Sequence, residues 1–194
     1  MNVKHDRDQV VQQGLQLFCS KGYTSVGLDE IYQTTGMTKG AFYNAFGSKE
    51  NFLLETLASF DRSNTARIVQ ELQPVPELFA IDQLKAFYGV MLKHQPKVNH
   101  MGCMLNNMMS ELGAHNEQVA LATKKGFEHI IKAVAPAVRR AQLEGDIDPE
   151  ADPLEIAALL HSIFYGVLTR AKSLGSTRKG HSTMDILFNH LQPH

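Results

Sequence analysis

The stretch from Gly27 to Phe52, GLDEIYQTTGMTKGAFYNAFGSKENF, constrains the fold of this 194-residue chain more than any other. Leu28, Ile31 and Tyr32 have the i, i+3, i+4 spacing of one helix face. Gly36 supplies the conformational freedom for a tight turn that ends this helix. A second short helix follows, and its inward face is formed by Ala41, Phe42, Ala45 and Phe46. Two short helices joined in this way predict a helix-turn-helix, whose second helix fits the major groove of DNA.

The outward side of the second helix has side chains that suit DNA. Lys39 and the nearby Lys49 carry charges that neutralise phosphates, and Asn44 has the amide group that pairs with adenine. Tyr43 offers a hydroxyl or a ring face, and Gly40 lets the backbone come close. On the pattern alone, an alternative remains open in which this is a small helical corner with two solvated lysines.

Two runs of residues narrow these alternatives. The run Thr38-Lys39-Gly40-Ala41-Phe42-Tyr43-Asn44-Ala45-Phe46, followed by Ser48-Lys49-Glu50, resembles the TetR family of bacterial transcriptional regulators. In that family a K-G-x-x-Y-x-x-F core and a trailing S-K-E mark the recognition helix and the start of the next helix. Upstream, Gly22-Tyr23 and Asp29-Glu30-Ile31 also match, so the specific resemblance covers roughly the first quarter of the chain. It implies that DNA is contacted by Thr24, Ser25, Thr38, Lys39, Gly40, Tyr43, Asn44 and Lys49.

Composition predicts a cytoplasmic protein that binds DNA through local charge. The chain is 43% hydrophobic, its start is too polar for a secretory signal, and its two cysteines, Cys19 and Cys103, fit a reducing compartment. Its formal net charge is −1. In residues 1–50 the acids Asp6, Asp8, Asp29, Glu30 and Glu50 balance the bases Lys4, Arg7, Lys21, Lys39 and Lys49. Attraction to DNA must therefore be local, which favours a dimer because a dimer doubles the phosphate contacts.

The apolar periodicity predicts an all-α chain throughout. A first helix is expected from about Asp6 to Lys21, with the helix-turn-helix after it and a long helix from Ser48 to about Leu72. After the Gln73–Pro76 linker, further helices are expected at about 77–94, 102–112, 116–143, 153–174 and 182–191, and the acidic 144–155 segment between two of them should be a solvated turn. Pro136 predicts a kink in the helix at 116–143.

The last two helices are the basis for predicting a homodimer. The 153–174 helix has two adjacent apolar stripes, and the 182–191 helix has one more. One chain has no evident core left to cover both helices, so we expect them to pair with a second copy. The alternative is that they only cover their own domain.

No catalytic, metal or cofactor signature is present. The chain has no P-loop, G-x-S-x-G, H-E-x-x-H or C-x-x-C motif, and its histidines form no i, i+4 pair on a predicted helix. We therefore expect no enzyme activity, no metal and no cofactor. Apolar side chains in the C-terminal part are candidates for a permissive small-molecule pocket, since methionine adapts to varied apolar shapes. They are Phe87, Tyr88, Met91, Cys103, Met104, Met108, Phe127 and Phe164.

Cys103 has two interpretations. The run Gly102-Cys103-Met104-Leu105-Asn106, with Glu111 further on, resembles a segment in one branch of TetR-like regulators, some of which respond to electrophiles or oxidants through this cysteine. A helix starting near Gly102 would favour the thiolate through its dipole. The surrounding methionines favour the neutral thiol instead, so both a reactive sensor and an inert packed side chain remain open.

These observations predict a DNA-binding domain at 1–47 and a ligand-binding, dimerising helical domain at 48–194. The resemblance implies a homodimeric repressor that a small-molecule inducer releases from a palindromic double-stranded DNA operator, with no membrane involved. An activator, a ligand-independent DNA-binding regulator and a helical protein-interaction module are the alternatives.

Overall fold

The computed structural model of the protein describes residues 6–193, and within that range it has helices and no strand. The helices are α1 Arg7–Lys21, α2 Leu28–Thr35, α3 Lys39–Phe46, α4 Lys49–Glu71, α5 Ala80–His94, α6 Met104–Leu112, α7 Glu117–Leu143, α8 Pro153–Leu174 and α9 Arg178–His190. A short 3-10 helix, Gln95–Val98, follows α5. The predicted all-α class is confirmed. Lys4, counted above among the bases, lies outside the described residues.

The helix starts predicted near residues 6, 48 and 153 are confirmed. The side chains of Asp6, Ser48 and Asp152 each accept a hydrogen bond from a backbone N–H in the first turn of the following helix. Asn116 does the same for α7, where its Oδ1 accepts from the Val119 N–H at 2.9 Å. Polar caps therefore define these boundaries, because they satisfy donors that have no partner inside the helix.

Three helix starts differ from the prediction. α5 begins at Ala80 and α6 at Met104, because Glu77 and Gly102 have φ values of 66° and 78°, a left-handed backbone that a helix excludes. α9 begins at Arg178, four residues before the predicted Ser182. The hydroxyl of Thr183 donates to the Lys179 carbonyl at 2.9 Å inside the helix, so the residues read as a cap lie in its second turn.

The chain divides into two compact units whose residues alternate along the sequence. Unit 1 comprises the described residues up to Ser63 together with Cys103–Phe127, and unit 2 comprises Asn64–Gly102 and the residues from Glu128 onward. Unit 1 therefore contains α6 and the start of α7 beside the helix-turn-helix. The domain boundary between residues 47 and 48 stays a prediction. The contacts within the chain group residues 48–63 and 103–127 with the helix-turn-helix.

The core of unit 1 is an aromatic cluster beneath α3. Phe42 and Phe52 are fully buried, and their ring centroids lie 5.4 Å apart. Phe46 lies 4.7 Å from Phe52, and Phe18 of α1 lies 5.8 Å from it. Gly14 of α1 makes room for this cluster, since a Cβ there would fall 2.3 Å from the Phe52 ring. The predicted inward residues of α3 thus support the helix on α1 and α4.

The core of unit 2 combines α5, α8, α9 and the second half of α7. Its largest buried side chain is Tyr88, which lies 5.2 Å from the Phe164 ring and 6.1 Å from the Phe188 ring. Ile130, Val134 and Val138 of α7 are buried. Pro136 is inside α7, which runs without interruption to Leu143, and the kink there stays a prediction.

The most apolar helix, α8, has 22 residues, and an 18-residue window within it has a mean hydropathy of 1.2, so by length and composition alone it is able to cross a membrane. Its inner side instead packs into unit 2, with Leu160, Phe164 and Leu168 buried. A core helix passes the same compositional test. The apolar character of α8 therefore reflects burial within this unit and an additional outer face.

Candidate DNA-binding interface

The outer face of α3 is exposed along its length because the inner face is anchored by Phe42 and Phe46. Thr38 caps the helix, and its hydroxyl accepts a hydrogen bond from the Ala41 N–H at 3.2 Å. Gly36 ends α2 with φ 69°, the left-handed conformation that glycine adopts without strain. These local features fix α2 and α3 as a helix-turn-helix with the second helix presented outward.

Seven of the eight predicted DNA-contact residues are exposed on this unit: Thr24, Ser25, Thr38, Lys39, Gly40, Tyr43 and Asn44. Tyr43 is 41% exposed although its ring lies 5.8 Å from that of Phe42. A Cβ added to Gly40 would meet no atom within 4 Å, so the absence of a side chain there serves no packing need within the protein. Their contacts with DNA stay a prediction.

Lys39 differs from the other cations of the helix-turn-helix region. Arg7 is paired with Glu55, with Nη2 and Oε2 2.6 Å apart, and Lys21 is paired with Glu30. Lys49 is bound to a backbone carbonyl. Among the described residues up to position 50, Lys39 is therefore the cation that forms no ion pair or hydrogen bond within the protein, and it lies at the first position of α3.

Lys49, the eighth predicted contact, is directed into unit 1. Its Nζ donates to the Tyr23 carbonyl at 2.7 Å and lies 4.0 Å from the centroid of the Tyr23 ring. Burial lowers the pKa of the Lys49 ammonium from its ordinary value, and the Glu111 carboxylate opposes that change. The sequence pattern does not indicate this contact, because Tyr23 lies in the turn between α1 and α2 and Lys49 begins α4, 26 residues later. A phosphate contact by Lys49 stays a prediction.

The eight predicted pocket residues are divided between the two units. Phe87, Tyr88, Met91 and Phe164 belong to unit 2, where the Phe87 and Tyr88 rings lie 5.1 Å apart. Cys103, Met104, Met108 and Phe127 belong to unit 1. Met104 and Met108 are fully buried, and the Met104 sulfur lies 3.4 Å from the Cys19 thiol. Met104 and Met108 thus pack within unit 1, and the pocket assignment stays a prediction.

The structure gives Cys103 a position at the N-cap of α6, where the residue is half-buried. Cys19 is half-buried as well. Within residues 6–193 no group of three His, Cys, Asp or Glu side chains is arranged to hold a metal ion.

Taken together, these features define the class of protein, which is a helix-turn-helix DNA-binding protein. Unit 1 contains α1, α2 and the exposed recognition helix α3, and unit 2 is all-helical as well. Comparison with known proteins gives the family. The model of the N-terminal region of bacterial regulatory proteins of the tetR family matches residues 10–56, and the model of a tetracyclin repressor-like C-terminal domain matches residues 80–187.

Relatives and a solved structure agree with the family models. The transcriptional repressor DhaR of Mycobacterium sp. strain GP1 is 25% identical over 96% of this chain and 92% of its own. The repressor NemR of Escherichia coli K12 is 26% identical over 88% and 86%. A crystal structure of a regulatory protein TetR from Rhodobacter sphaeroides superposes with a TM-score of 0.85, 26% identity, and coverage of 94% and 97%.

The chain belongs to the TetR family of bacterial transcriptional regulators. It is a DNA-binding regulator and not an enzyme, in a family of soluble proteins.

Proposed function

We propose that this protein is a cytoplasmic homodimeric repressor that a small-molecule inducer releases from a near-palindromic operator. The observation that carries the proposal is Lys39, an exposed cation without a partner among the described residues, at the start of a recognition helix with Tyr43 and Asn44 on its outer face. The N-terminus of α3 adds the positive end of a helix dipole. The names of DhaR and NemR, both transcriptional repressors, support repression over activation.

The outer faces of α8 and α9 support dimerisation. Leu159 of α8 is 42% exposed and Ile186 of α9 is 57% exposed, while the inner faces of both helices are buried in unit 2. Between the helices lies a cavity of about 140 Å³ bordered by Ile163 and Gly166. An apolar surface with small residues is what a partner helix packs against. Two copies joined there would present two recognition helices to one face of DNA.

The proposed inducer binds in unit 2. Unit 2 has an aromatic group around Tyr88 and Phe164, with Phe87 and the half-buried Met91 beside it. Arg67 lies next to these two, with its Nη2 3.6 Å from the Met91 sulfur and its guanidinium carbon 5.7 Å from the Phe87 ring centroid. An apolar molecule with one polar or anionic group fits this chemistry.

The experiment that tests the function is selection of DNA from a random library by the wild-type protein, followed by affinity measurements at several salt concentrations. We expect a near-palindromic sequence with half-sites about one helical turn, roughly 34–36 Å, apart. Lys39→Ala should weaken binding to all sequences and reduce the slope of log affinity against log salt by about one for each recognition helix. Asn44→Ala should instead relax base preference at one position of each half-site.

The matched control is Lys93→Ala, which removes the same charge from an exposed position on α5. It should leave both the affinity and the salt slope near the wild-type values. Failure of the wild type to select any sequence, or equal effects of Lys39→Ala and Lys93→Ala, would contradict the proposed interface.

A further inference from the structure

The turn between α1 and α2 is held by a carboxylate from α6. Glu111 Oε2 accepts a hydrogen bond from the Tyr23 backbone N–H at 3.0 Å, and its Oε1 accepts one from the Thr24 N–H at 2.7 Å. Both carboxylate oxygens are thus bonded to two consecutive backbone donors of a turn 87 or 88 residues away in the sequence. Hydrogen bonds of this kind to an ionised acceptor are among the stronger ones in proteins.

The turn is shaped to receive this carboxylate. Gly22, which ends α1, has φ 79°, where a side chain is strained. A Cβ at this position would also fall 2.9 Å from Glu111 Oε2. Residue 22 therefore disfavours a side chain through its backbone conformation, and a Cβ there would also displace the end of the Glu111 side chain.

Neighbouring contacts hold the same turn from the other side. Lys49, at the start of α4, donates to the Tyr23 carbonyl at 2.7 Å, so the backbone N–H and the carbonyl of Tyr23 are both hydrogen-bonded. Burial raises the pKa of the Glu111 carboxyl, but the hydrogen bonds from Thr24 and Tyr23 and the charge of Lys49 outweigh it and hold this pKa below its ordinary value. The acceptor is consequently a carboxylate at neutral pH.

A second polar contact joins the α6–α7 segment to α4. Asn116, which caps α7, donates from Nδ2 to Glu50 Oε1 at 2.9 Å. The stretch from Glu111 to Asn116 is thus bonded to the turn that opens α2 and to the first turn of α4. These are the two connections that flank the helix-turn-helix in the chain.

We propose that Glu111 is a positioning residue for DNA binding: its carboxylate fixes the α1–α2 turn, and with it the predicted DNA contacts Thr24 and Ser25 and the start of α2. The inference rests on the proposed function and deepens it. Glu111 lies in the last turn of α6, so the α1–α2 turn is bonded to the end of that helix within unit 1.

Glu111→Gln tests the proposal, because it keeps the shape but replaces one acceptor oxygen with an NH2 group that faces a backbone donor. The matched control is Glu117→Gln, which removes the same charge from an exposed position in the first turn of α7. The control is necessary because loss of any negative charge strengthens binding to DNA. Glu111→Ala is the second variant, for use if the Gln variant does not fold.

The first measurement needs no DNA: amide hydrogen exchange of Tyr23 and Thr24 in the full chain, followed by NMR. We expect exchange of these two amides to be about tenfold faster in Glu111→Gln and unchanged in Glu117→Gln. The second measurement is affinity for the selected operator and for random DNA, at a temperature where each variant is folded. We expect operator affinity to fall about tenfold while affinity for random DNA is retained.

Three results would overturn the inference. If the Tyr23 and Thr24 amides of Glu111→Gln exchange at the wild-type rate, the proposed contact with Glu111 is contradicted. Equal operator affinities for the Glu111 and Glu117 variants, or an equal loss on operator and random DNA, would leave Glu111 a purely structural role. A wild-type protein with no sequence preference would instead overturn the proposed function itself, and with it the role of Glu111, whereas the exchange result would still establish the contact.

Discussion

The Tyr88–His161 pair in the core of unit 2 ties the stability of the protein to pH. Tyr88 is fully buried and His161 is 5% exposed, and the Tyr88 hydroxyl and His161 Nδ1 are hydrogen-bonded at 2.7 Å. Burial lowers the pKa of His161 to about 3. The folded protein therefore keeps this imidazole neutral at pH values where the unfolded chain, with a histidine pKa of about 6.5, takes up a proton.

The sign of the effect follows from proton binding. Between about pH 6.5 and the folded-state pKa, the unfolded chain binds more protons, so acid favours unfolding by up to about 1.4 kcal/mol per pH unit. We expect the free energy of unfolding of wild type to fall by about 2 kcal/mol more than that of His161→Leu between pH 7 and pH 5. Urea unfolding followed by circular dichroism measures this difference.

Tyr88→Phe is the control for this prediction. It removes the hydrogen bond but leaves His161 buried, and burial is the cause of the lowered pKa. Tyr88→Phe should therefore keep the wild-type pH dependence even though its overall stability is lower. Parallel pH profiles for wild type and His161→Leu would show that this imidazole is not the source.

At the scale of elements, the far end of α4 is fastened by a buried polar cluster. Arg140 of α7 donates from Nη2 to the Leu72 carbonyl at 3.0 Å and to Gln83 Oε1 at 2.7 Å. Gln83, 6% exposed, donates in turn to the Glu71 and Gln73 carbonyls at 2.9 and 2.6 Å. The carbonyls of Glu71, at the end of α4, and of Leu72 and Gln73 just after it thus find donors on α5 and α7 instead of a capping residue in the sequence that follows.

Replacing Arg140 should cost more stability than replacing its exposed neighbour. Arg140→Met leaves Gln83 Oε1 and the Leu72 carbonyl without this donor, at an expected cost of about 2 kcal/mol. Arg139→Met removes the same charge from a side chain whose one short contact is a 3.4 Å hydrogen bond to Gln142, and it should cost under about 0.5 kcal/mol. Urea unfolding of the two variants provides the comparison, and equal losses would contradict a fastening role for Arg140.

The helices show how far sequence patterns reach at this scale. The capping side chains of Asp6, Ser48 and Asp152 are local signals, and the helices they begin lie where the sequence predicts. The start of α9 was predicted four residues late, because Ser182 and Thr183 resemble a cap but lie on the exposed side of a helix that has already begun. A serine or threonine has the same appearance in the sequence in both situations.

At the scale of the whole molecule, the proposed dimer is tested on exposed residues. Phe164 and Leu168, which the apolar stripes of α8 first offer as interface residues, are each 3% exposed within one chain. A charge at either would disrupt the core of unit 2 and give no information on association. Ile186, 57% exposed on α9, is the better position because a charge there leaves the core intact.

Ile186→Glu should convert the proposed dimer to a monomer, since it would bury a charge in the apolar interface proposed for α8 and α9. Light scattering should show the mass falling from twice the 21.6 kDa chain mass to a single chain. Operator affinity should fall with it, because each monomer reads one half-site. Val90→Glu, on a residue 60% exposed on α5, is the control and should remain dimeric. A wild-type protein that is monomeric at micromolar concentration would contradict the proposed dimer.

The sequence by itself determined the fold class, most helix bounds and the outer face of the recognition helix, because these depend on contacts within one or two turns of chain. Periodicity placed Phe42 inward and Tyr43 outward, and the structure agrees on both. The exposed residues from Thr38 to Asn44 follow from the same local rule.

Only the tertiary structure decided which distant groups meet. It turned Lys49 towards Tyr23, brought Glu111 to the α1–α2 turn, and divided the predicted pocket residues between two units. These residues lie tens of positions apart in the sequence. A pattern of neighbouring residues carries no information on which distant residues meet. The partners of a polar side chain are set by the packing of helices, and that packing is a property of the folded chain.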